Sequence, residues 1–242
     1  MPPVVLRMLA VLVASTSAVA CGGGSDDDGG TLTVFAASSL TGVAGSLAEA
    51  FMASSAEIDD VEVDTGGSDS LARLINDGAP ADVLLTADLD TMASLDQPVE
   101  PVVIAHNRVT VAVPADNPAG IETVADLAGP VTLAVCEPVV PCGDAALELF
   151  ERAGIDPSPA TLEPNVRSVL TKVELGEVDA GVVYRTDADR SSSVVSIPAD
   201  DPPRRPVAAA AVSDRDPAAA FVAFLASDEA VAIFAGHGFE GP

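Results

Sequence analysis

Four short segments of the chain join small or hydroxyl residues to the start of a helical pattern, an arrangement that suits anion binding. A helix N-terminus offers free backbone N–H groups and the positive end of a dipole, so it can hold an anion without a cationic side chain. Serine hydroxyls add further donors, although each Ser, Asp or Asn also fits the simpler role of a helix cap. The segments are Ala37-Ser38-Ser39-Leu40-Thr41, Gly66-Gly67-Ser68-Asp69-Ser70, Pro141-Cys142-Gly143-Asp144 and Pro164-Asn165-Val166-Arg167.

The elements that must position these segments alternate between strand and helix patterns. Short apolar runs are separated by stretches with helical spacing, such as Val43, Leu47 and Phe51 on one face. Such alternation predicts parallel sheets flanked by helices, and folds of this kind bind ligands beyond the C-terminal ends of their strands. The strand-like runs lie at 32–35, 61–63, 82–86, 109–113, 131–135, 180–184 and 207–212, and helical patterns include 144–152, 166–175 and 221–234.

The chain is strongly acidic, because 37 acidic residues against 11 basic ones give a formal net charge of −26. Nucleic acid is excluded as a partner, since its phosphates require clustered Lys and Arg. High solubility is a sufficient explanation of this charge. An anion site remains compatible with it, because salt screens distant charges within about 8–10 Å, whereas N–H donors in a dry cleft act at close range and low dielectric.

The first thirty residues predict export and lipid attachment. Arg7 precedes an apolar run over 8–14, and small residues then lead to Cys21, which is the pattern of a secretory signal. The run is too short to span a bilayer. We predict a signal peptide over 1–20, then a lipidated Cys21 and a flexible tether over 21–30, which together hold the protein on the outer face of the cytoplasmic membrane. An ordinary cleaved signal with an incidental cysteine is the alternative.

Two further cysteines, Cys136 and Cys142, remain in the body of the chain. Export would bring them into an oxidising compartment, where paired cysteines are usually bridged. Their C-x5-C spacing lacks the compact pairs of a zinc site. We therefore predict a disulfide between Cys136 and Cys142.

Five motifs between Thr31 and Phe239 form a set that covers nearly the whole predicted mature chain. They are Thr33-Val34-Phe35-Ala36-Ala37-Ser38-Ser39-Leu40-Thr41, Ser70-Leu71-Ala72-Arg73, Gly78-Ala79-Pro80-Ala81-Asp82-Val83, Asn165-Val166-Arg167 and Ala180-Gly181-Val182-Val183-Tyr184. Together they resemble the periplasmic molybdate-binding proteins of ABC transporters. Neighbouring families share parts of these motifs, but the combination is specific to this family.

The resemblance implies both a fold and a set of ligand contacts. It implies an α/β, two-lobed periplasmic-binding-protein-like fold of type II, in which each lobe is a mainly parallel sheet flanked by helices and the ligand binds in the cleft between the lobes. We expect 31–112 plus 204–242 in lobe 1 and 113–203 in lobe 2. The implied oxyanion contacts are the hydroxyls of Ser39, Ser68 and Tyr184 and the backbone N–H groups of Cys142 and Val166.

Two positions depart from the family pattern. Asp69 stands where the family usually has Ser or Gly. A carboxylate facing the site would repel a dianion and could accept a proton from hydrogen phosphate, whereas an outward-pointing one would support the helix N-terminus. Cys142 stands where Ala is common. Only its N–H is needed for the ligand, and a bridge to Cys136 would pin the loop.

The predicted function is that of an exported solute-binding lipoprotein that captures molybdate or tungstate and delivers it to an ABC permease with its ATPase. The same architecture binding sulfate or phosphate is the close alternative, and a structural envelope lipoprotein is a remote one. We expect a monomer with no cofactor, and with metal bound only as an oxyanion rather than as a free cation. An enzyme is disfavoured, because His106 and His237 lie in no recognisable catalytic motif and Gly-x-Ser-x-Gly is absent.

Overall fold

A computed structural model of the chain describes residues 30–55, 58–157 and 160–242. The predicted signal peptide at 1–20, the lipidated Cys21 and most of the tether over 21–30 lie outside these residues. Within the described ranges, no single helix has both the length and the apolar composition that a membrane crossing requires. One bent pair of helices near the C-terminal end meets both requirements only when the two are taken together.

Nine strands form one connected sheet in the described part of the chain. They are β1 (Thr31–Ala37), β2 (Asp60–Gly66), β3 (Val83–Thr86), β4 (Val102–Pro114), β5 (Leu133–Cys136), β6 (Ala160–Glu163), β7 (Ala180–Tyr184), β8 (Val194–Ile197) and β9 (Arg204–Ala211).

Helices flank this sheet and connect its strands. The α-helices are α1 (Thr41–Ser54), α2 (Ser68–Asn76), α3 (Asp90–Ala93), α4 (Pro141–Ala153), α5 (Val166–Glu174), α6 (Arg185–Arg190), α7 (Asp216–Leu225) and α8 (Asp228–Gly236), and short 3-10 helices span Ser38–Leu40 and Val124–Ala128.

The long strand β4 divides the sheet into two halves. The strand order is β2-β1-β3-β9-β4-β7-β5-β6, with β8 also paired to β4. Residues 102–108 of β4 pair with β9, and residues 109–114 pair with β7 and β8. We call the half with β1, β2, β3, β9 and the first part of β4 lobe 1, and the half with β5 to β8 and the rest of β4 lobe 2. Helices α1, α2, α7 and α8 pack in lobe 1, and α4, α5 and α6 pack in lobe 2.

Apolar spacing fixes how the helices sit on this sheet. Val43, Leu47 and Phe51 form the buried face of α1, as their spacing predicts. The ring of Phe51 packs 4.9 Å from that of Phe221 and 5.6 Å from that of Phe224, measured between centroids. Because both partners lie on α7, these contacts hold the C-terminal part of the chain in lobe 1.

Close packing of α5 on β7 fixes the position of the strand end that carries Tyr184. A Cβ added to Gly181 would lie 2.7 Å from Val169 Cγ1 and 2.8 Å from Val173 Cγ2. Since real Cβ atoms do not approach so closely, only glycine lets the helix lie this near the strand. The two elements therefore move as one unit and hold their ends, which carry Val166 and Tyr184, in a fixed relation.

Each strand and helix pattern predicted from the sequence overlaps an observed element, and the structure adds several more. The four-residue strands β6 and β8 and the first half of β4 were not predicted from the sequence. In β4 the polar run His106-Asn107-Arg108 interrupts the pattern where the strand passes between the lobes. Parallel pairing holds for β1 with β2 and β3 and for β5 with β6 and β7, while every pair that involves β4 or β9 is antiparallel.

Asp82, which belongs to one of the resembling motifs, is a buried carboxylate that joins three parts of lobe 1. Its Oδ2 accepts hydrogen bonds from the Thr33 backbone N–H at 3.0 Å and from Arg215 Nη1 at 2.7 Å. Its Oδ1 accepts one from the Ser213 hydroxyl at 2.7 Å. Because all of these groups are donors, both side-chain oxygens of Asp82 must act as acceptors.

We expect Asp82→Asn to lower the free energy of unfolding by about 2–4 kcal/mol, because an amide places a donor against donors and removes a buried charge partner. Urea denaturation would measure the change. Asp201→Asn is the matched control, since the Asp201 side chain is 82% exposed in its ion pair with Arg152, and such pairs contribute about 1 kcal/mol or less. Equal effects of the two substitutions would contradict the structural role of Asp82.

Asp187 of α6 is a second buried carboxyl group, and it lies three residues after Tyr184. It is 8% exposed, and its Oδ2 has no hydrogen-bond partner among the described residues. Burial raises the pKa of Asp187 to about 8, against the opposing charges of Arg190 and Arg167. Asp187 therefore carries a proton between about pH 4 and pH 8, a range in which the Asp of an unfolded chain is ionised.

Asp187 should make the protein less stable as the pH rises. Between the unfolded pKa of about 3.9 and the folded pKa of about 8, the folded chain binds the extra proton. The free energy of unfolding then falls by up to about 1.4 kcal/mol per pH unit across this window. Asp187→Asn resembles the protonated form and should flatten that part of the profile in thermal denaturation, while Asp189→Asn on the exposed side of α6 should not. Parallel profiles for Asp187→Asn and the wild type would contradict the assignment.

Candidate functional site

A small cavity between the lobes collects all five residues that the sequence predicted as ligand contacts. It has a volume of about 20 Å³. The lining residues are Ala37, Ser38, Ser39, Gly67, Ser68, Ala87, Val140, Pro141, Cys142, Pro164, Asn165, Val166 and Tyr184.

Ser39 reaches the cavity from the 3-10 helix that links β1 to α1. Its side chain makes no capping hydrogen bond to either helix, because α1 begins only at Thr41 and has Leu40 as its N-cap. The Thr41 hydroxyl instead donates to the Ser38 carbonyl at 2.7 Å. The Ser39 hydroxyl is therefore free to donate to a ligand.

Ser68 is the first residue of α2 and also makes no capping bond within that helix. Its Oγ accepts a hydrogen bond from the Ala87 backbone N–H at 3.3 Å. This contact ties the start of α2 to the segment that follows β3, and it orients the hydroxyl. Because the oxygen acts as the acceptor, the hydroxyl hydrogen remains available as a donor.

The predicted disulfide holds the third donor segment. Cys136 ends β5, Cys142 lies in the first turn of α4, and the structure bridges them with a Cα–Cα distance of 5.6 Å. Pro141 has no N–H, and the Gly143 N–H donates to the Val140 carbonyl at 2.9 Å. The Cys142 N–H is thereby left without a backbone acceptor among the described residues.

Gly143 is required for the tight loop that this bridge closes. A Cβ at Gly143 would lie 1.9 Å from the carbonyl oxygen of Glu137. The backbone of the loop thus packs directly against the first turn of α4. Loop, bridge and helix start form one rigid unit around the Cys142 N–H.

Asn165 prepares the fourth donor segment by capping α5. Its Oδ1 accepts hydrogen bonds from the Ser168 backbone N–H at 3.0 Å and from the Ser168 hydroxyl at 3.3 Å. Val166 follows as the first helical residue, with its side chain in the core and its N–H unbonded to other backbone groups of the described chain. Asn165 therefore caps α5, and it also lines the cavity.

Tyr184 closes the set from the end of β7. The side chain is only 2% exposed, and its hydroxyl has no hydrogen-bond partner among the described residues. Burial raises the pKa of this hydroxyl well above its usual value, and the charge of Asp88 adds to the rise. Tyr184 therefore stays protonated and offers a donor that no group in the described part of the chain receives.

The cavity presents donors and no charged side chain, since none of its lining residues is Asp, Glu, Lys, Arg or His. Sequence reasoning did not single out Ser38, Asn165 or Ala87 as lining residues. The first two lie inside the donor segments, so their positions were the available signal. Ala87 belongs to no motif, and only the fold brings it to Ser68.

A second cavity of about 540 Å³ adjoins the small one at Val140, which lines both. Its walls carry carboxylates, including Asp69 and Asp88 from lobe 1 and Asp144 from lobe 2. Burial raises the pKa of Asp69, and the charge of Asp88 adds to this effect. Asp69 lines this outer cavity and not the inner one, so its departure from the family pattern adds no carboxylate to the donor set.

The two lobes touch beside the inner cavity. A Cβ on Gly67 of lobe 1 would lie 3.0 Å from the carbonyl oxygen of Pro164 in lobe 2. One on Gly42 of α1 would lie 1.3 Å from Nη1 of Arg190, at the end of α6. The first contact is with backbone, so glycine at position 67 lets the lobes approach closely beside the cavity. The second is with the flexible end of an arginine side chain, which could move aside.

Comparison with known proteins shows which family the chain belongs to. The sequence matches the family of bacterial extracellular solute-binding proteins over residues 32–240. The molybdate-binding protein ModA of Escherichia coli is 31% identical over 229 residues, which cover 86% of this chain and 88% of that protein. ModA of Mycobacterium tuberculosis H37Rv is 36% identical over 163 residues, and this match spans 65% of the chain and only 62% of the relative's length.

Solved structures share the fold at lower identity. The periplasmic molybdate-binding protein of Azotobacter vinelandii superimposes with a TM-score of 0.70 at 21% identity, covering 87% of this chain and 99% of that one. The sulfate-binding protein SubI of Mycobacterium tuberculosis gives a TM-score of 0.74 at 18% identity, covering 88% and 87%. These neighbours confirm the two-lobed α/β fold predicted from the sequence. With a family match that runs through both lobes, the chain belongs to the bacterial extracellular solute-binding proteins.

Proposed function

We propose that this protein captures molybdate or tungstate and delivers it to the permease and ATPase of an ABC transporter. The observation that carries the proposal is the enclosed cavity lined by unpaired donors from both lobes. Its donors are the hydroxyls of Ser39, Ser68 and Tyr184 and the N–H groups of Cys142 and Val166. The names of the ModA relatives support molybdate as the ligand.

The chemistry of the cavity suits a fully deprotonated tetrahedral dianion. Molybdate and tungstate near neutral pH carry acceptor oxygens and no protons, so each oxygen can receive hydrogen bonds from the cavity. Hydrogen phosphate would also need an acceptor for its own proton, and none of the lining side chains is a carboxylate. Sulfate is the remaining alternative, because it is also an unprotonated dianion but has shorter bonds than molybdate.

We further propose the cellular setting and the motion that accompany this role. Lipid attachment at Cys21 would keep the protein, as a monomer, at the outer face of the cytoplasmic membrane near its permease. The lobes predicted from the sequence, 31–112 with 204–242 and 113–203, would be joined through β4 and the segment before β9. In β4 the partner strand changes between residues 108 and 109, a few residues before the predicted boundary. A hinge rotation there would open the cavity and admit the anion. No catalytic step is needed for this function.

Titration calorimetry with molybdate, tungstate, sulfate and phosphate tests the proposed function. We expect molybdate and tungstate to bind, and to raise the melting temperature at concentrations where sulfate and phosphate have little effect. Ligand at about 100 times its dissociation constant adds roughly 2.7 kcal/mol of apparent stability. A larger shift of the melting temperature with sulfate or phosphate would identify that anion, and not molybdate, as the ligand. The absence of a shift with any of the four anions would overturn the oxyanion function.

Ser39 and Tyr184 test the site itself. Tyr184→Phe and Ser39→Ala should each weaken molybdate binding about tenfold to a hundredfold, because a hydrogen bond to a charged group contributes roughly 1.5–3 kcal/mol. Calorimetry would measure the affinity, and thermal denaturation of the ligand-free protein would measure stability.

The capping alternative makes a different prediction for the same substitutions. If Ser39 only capped a helix, Ser39→Ala would lower the melting temperature of the empty protein and leave the affinity unchanged. Ser54→Ala at the other end of α1 is the matched control, since the Ser54 hydroxyl donates to the Phe51 carbonyl at 2.8 Å, far from the cavity. Parental affinity in both Ser39→Ala and Tyr184→Phe would refute the assignment of the site.

A further inference from the structure

Arg205 of β9 connects lobe 1 to two carboxylates of lobe 2. Its backbone pairs with Asn107 in the lobe 1 part of β4, whereas Asp144 and Glu148 lie one turn apart on α4. Its Nη2 lies 2.7 Å from Asp144 Oδ2, and its Nη1 lies 2.5 Å from Glu148 Oε2. The side chain of Arg205 is only 14% exposed, whereas those of Asp144 and Glu148 are 71% and 30% exposed, so solvent and salt still reach the carboxylate side of both ion pairs.

We propose that Arg205 is a latch between the lobes, which holds the closed form and sets how fast the bound anion is released. Arg205 acts as a positioning residue, because it lines the outer cavity and does not line the inner one. This inference rests on the proposed function, since a latch matters only where closure encloses an anion.

The position of the two carboxylates on α4 couples the latch to the anion site. The first turn of α4 offers the Cys142 N–H to the inner cavity, and Asp144 and Glu148 follow on the same helix. Fixing these carboxylates to lobe 1 also fixes the helix start against the donors of lobe 1. The Arg205 backbone is paired within lobe 1 and the carboxylates belong to α4 of lobe 2, so we expect separation of the lobes to lengthen or break the ion pairs.

The outer cavity carries negative charges on both lobes, and these charges oppose closure unless a cation lies between them. Asp144 and Glu148 share this cavity with Asp69 and Asp88 on the opposite wall, and like charges across a cleft repel one another. Arg205 offsets this repulsion when the cleft is closed. Burial alone would raise the pKa of Glu148, but the hydrogen bonds and charges of Arg205 and, to a smaller extent, Arg152 together outweigh it and lower that pKa. Glu148 is thus ionised and able to hold the cation.

Two neighbouring arginines do not connect the lobes in this way. Arg152 contacts the same Glu148 but belongs to α4 itself, and its other ion pair is with Asp201 at 2.8 Å. Arg204 lies beside Arg205 on β9, but its Nε contacts Glu240 at 3.0 Å on the lobe 1 side. Arg152 therefore offers a matched control, with the same loss of charge next to the same carboxylate and no bridge between lobes.

The first experiment compares Arg205→Gln with Arg152→Gln in the full-length protein. Release of radiolabelled molybdate into excess unlabelled molybdate gives the dissociation rate. We expect release from Arg205→Gln to be about three- to tenfold faster than from the wild type, and release from Arg152→Gln to change by less than about twofold. The difference between the variants should shrink in about 1 M salt, where charges are screened within a few ångströms. The melting temperature of each ligand-free variant shows whether the fold is intact.

The second experiment removes the partners of Arg205 in lobe 2. It also distinguishes the latch from simple repulsion between these carboxylates and the anion. Asp144→Asn combined with Glu148→Gln deletes both partners of Arg205 and makes the cleft less negative. If the carboxylates only repelled the anion, this double variant would bind molybdate more tightly. The latch predicts the opposite sign, with release faster than from the wild type.

The outcomes distinguish failure of the latch from failure of the proposed function. Slow release from the wild type with equal rates in Arg205→Gln and Arg152→Gln would overturn the latch and leave the function intact. Slower release from the double variant would overturn it as well. A wild-type protein that binds no molybdate would overturn the proposed function, and the latch with it.

Discussion

A dianion held without a cationic side chain must recover from the protein the hydrogen bonds that it gives up in water. Each of those bonds is strong only where water is excluded and the donor has no competing partner. In the proposed site, the inner cavity would supply such donors through groups that have no partner among the described residues, for example the Tyr184 hydroxyl and the Cys142 N–H. Most of the surrounding structure, including the disulfide, the Asn165 cap and the packing of α5 on Gly181, serves to hold these donors in place while they remain unsatisfied.

The distribution of charge follows from the same constraint. A net charge of −26 would oppose an anion only over the screening distance, and no carboxylate of the described residues lines the inner cavity. The nearest ones line the outer cavity, where Arg205 can offset them as the lobes meet. Under the proposed function, protein charge would therefore affect the approach and release of the anion, whereas neutral donors would determine how it is held.

Local sequence patterns predicted many of the helices and strands. The features that the sequence did not predict have a common physical cause. The apolar spacing of Val43, Leu47 and Phe51 predicted a buried helix face because that information is local. The antiparallel course of β4 and β9 could not be predicted, since it depends on contacts between distant parts of the chain. The pairing of Arg205 with Asp144, which are 61 residues apart, is of the same kind.

The candidate site also has features that the sequence predicted and features that only the fold could show. The residues of its donor segments were recognisable from composition and from resemblance to a family, and the structure brings them to one cavity. Which groups stay unpaired was not recognisable, because it depends on partners such as Ala87 for Ser68. The question of where Asp69 points also needed the fold, which directs this carboxylate to the outer cavity.

Two of the five proposed contacts are made by main-chain N–H groups, and this affects how the sequence can change over time. Every residue except proline carries such a donor, so substitution at positions 142 and 166 alters packing without removing the group that faces the ligand. The side chain at 142 is consequently free to take on another task, and here it forms half of a disulfide. Binding chemistry encoded in the backbone can thus persist through sequence drift, while positions such as Ser39 and Tyr184, which act through their side chains, have little freedom to vary.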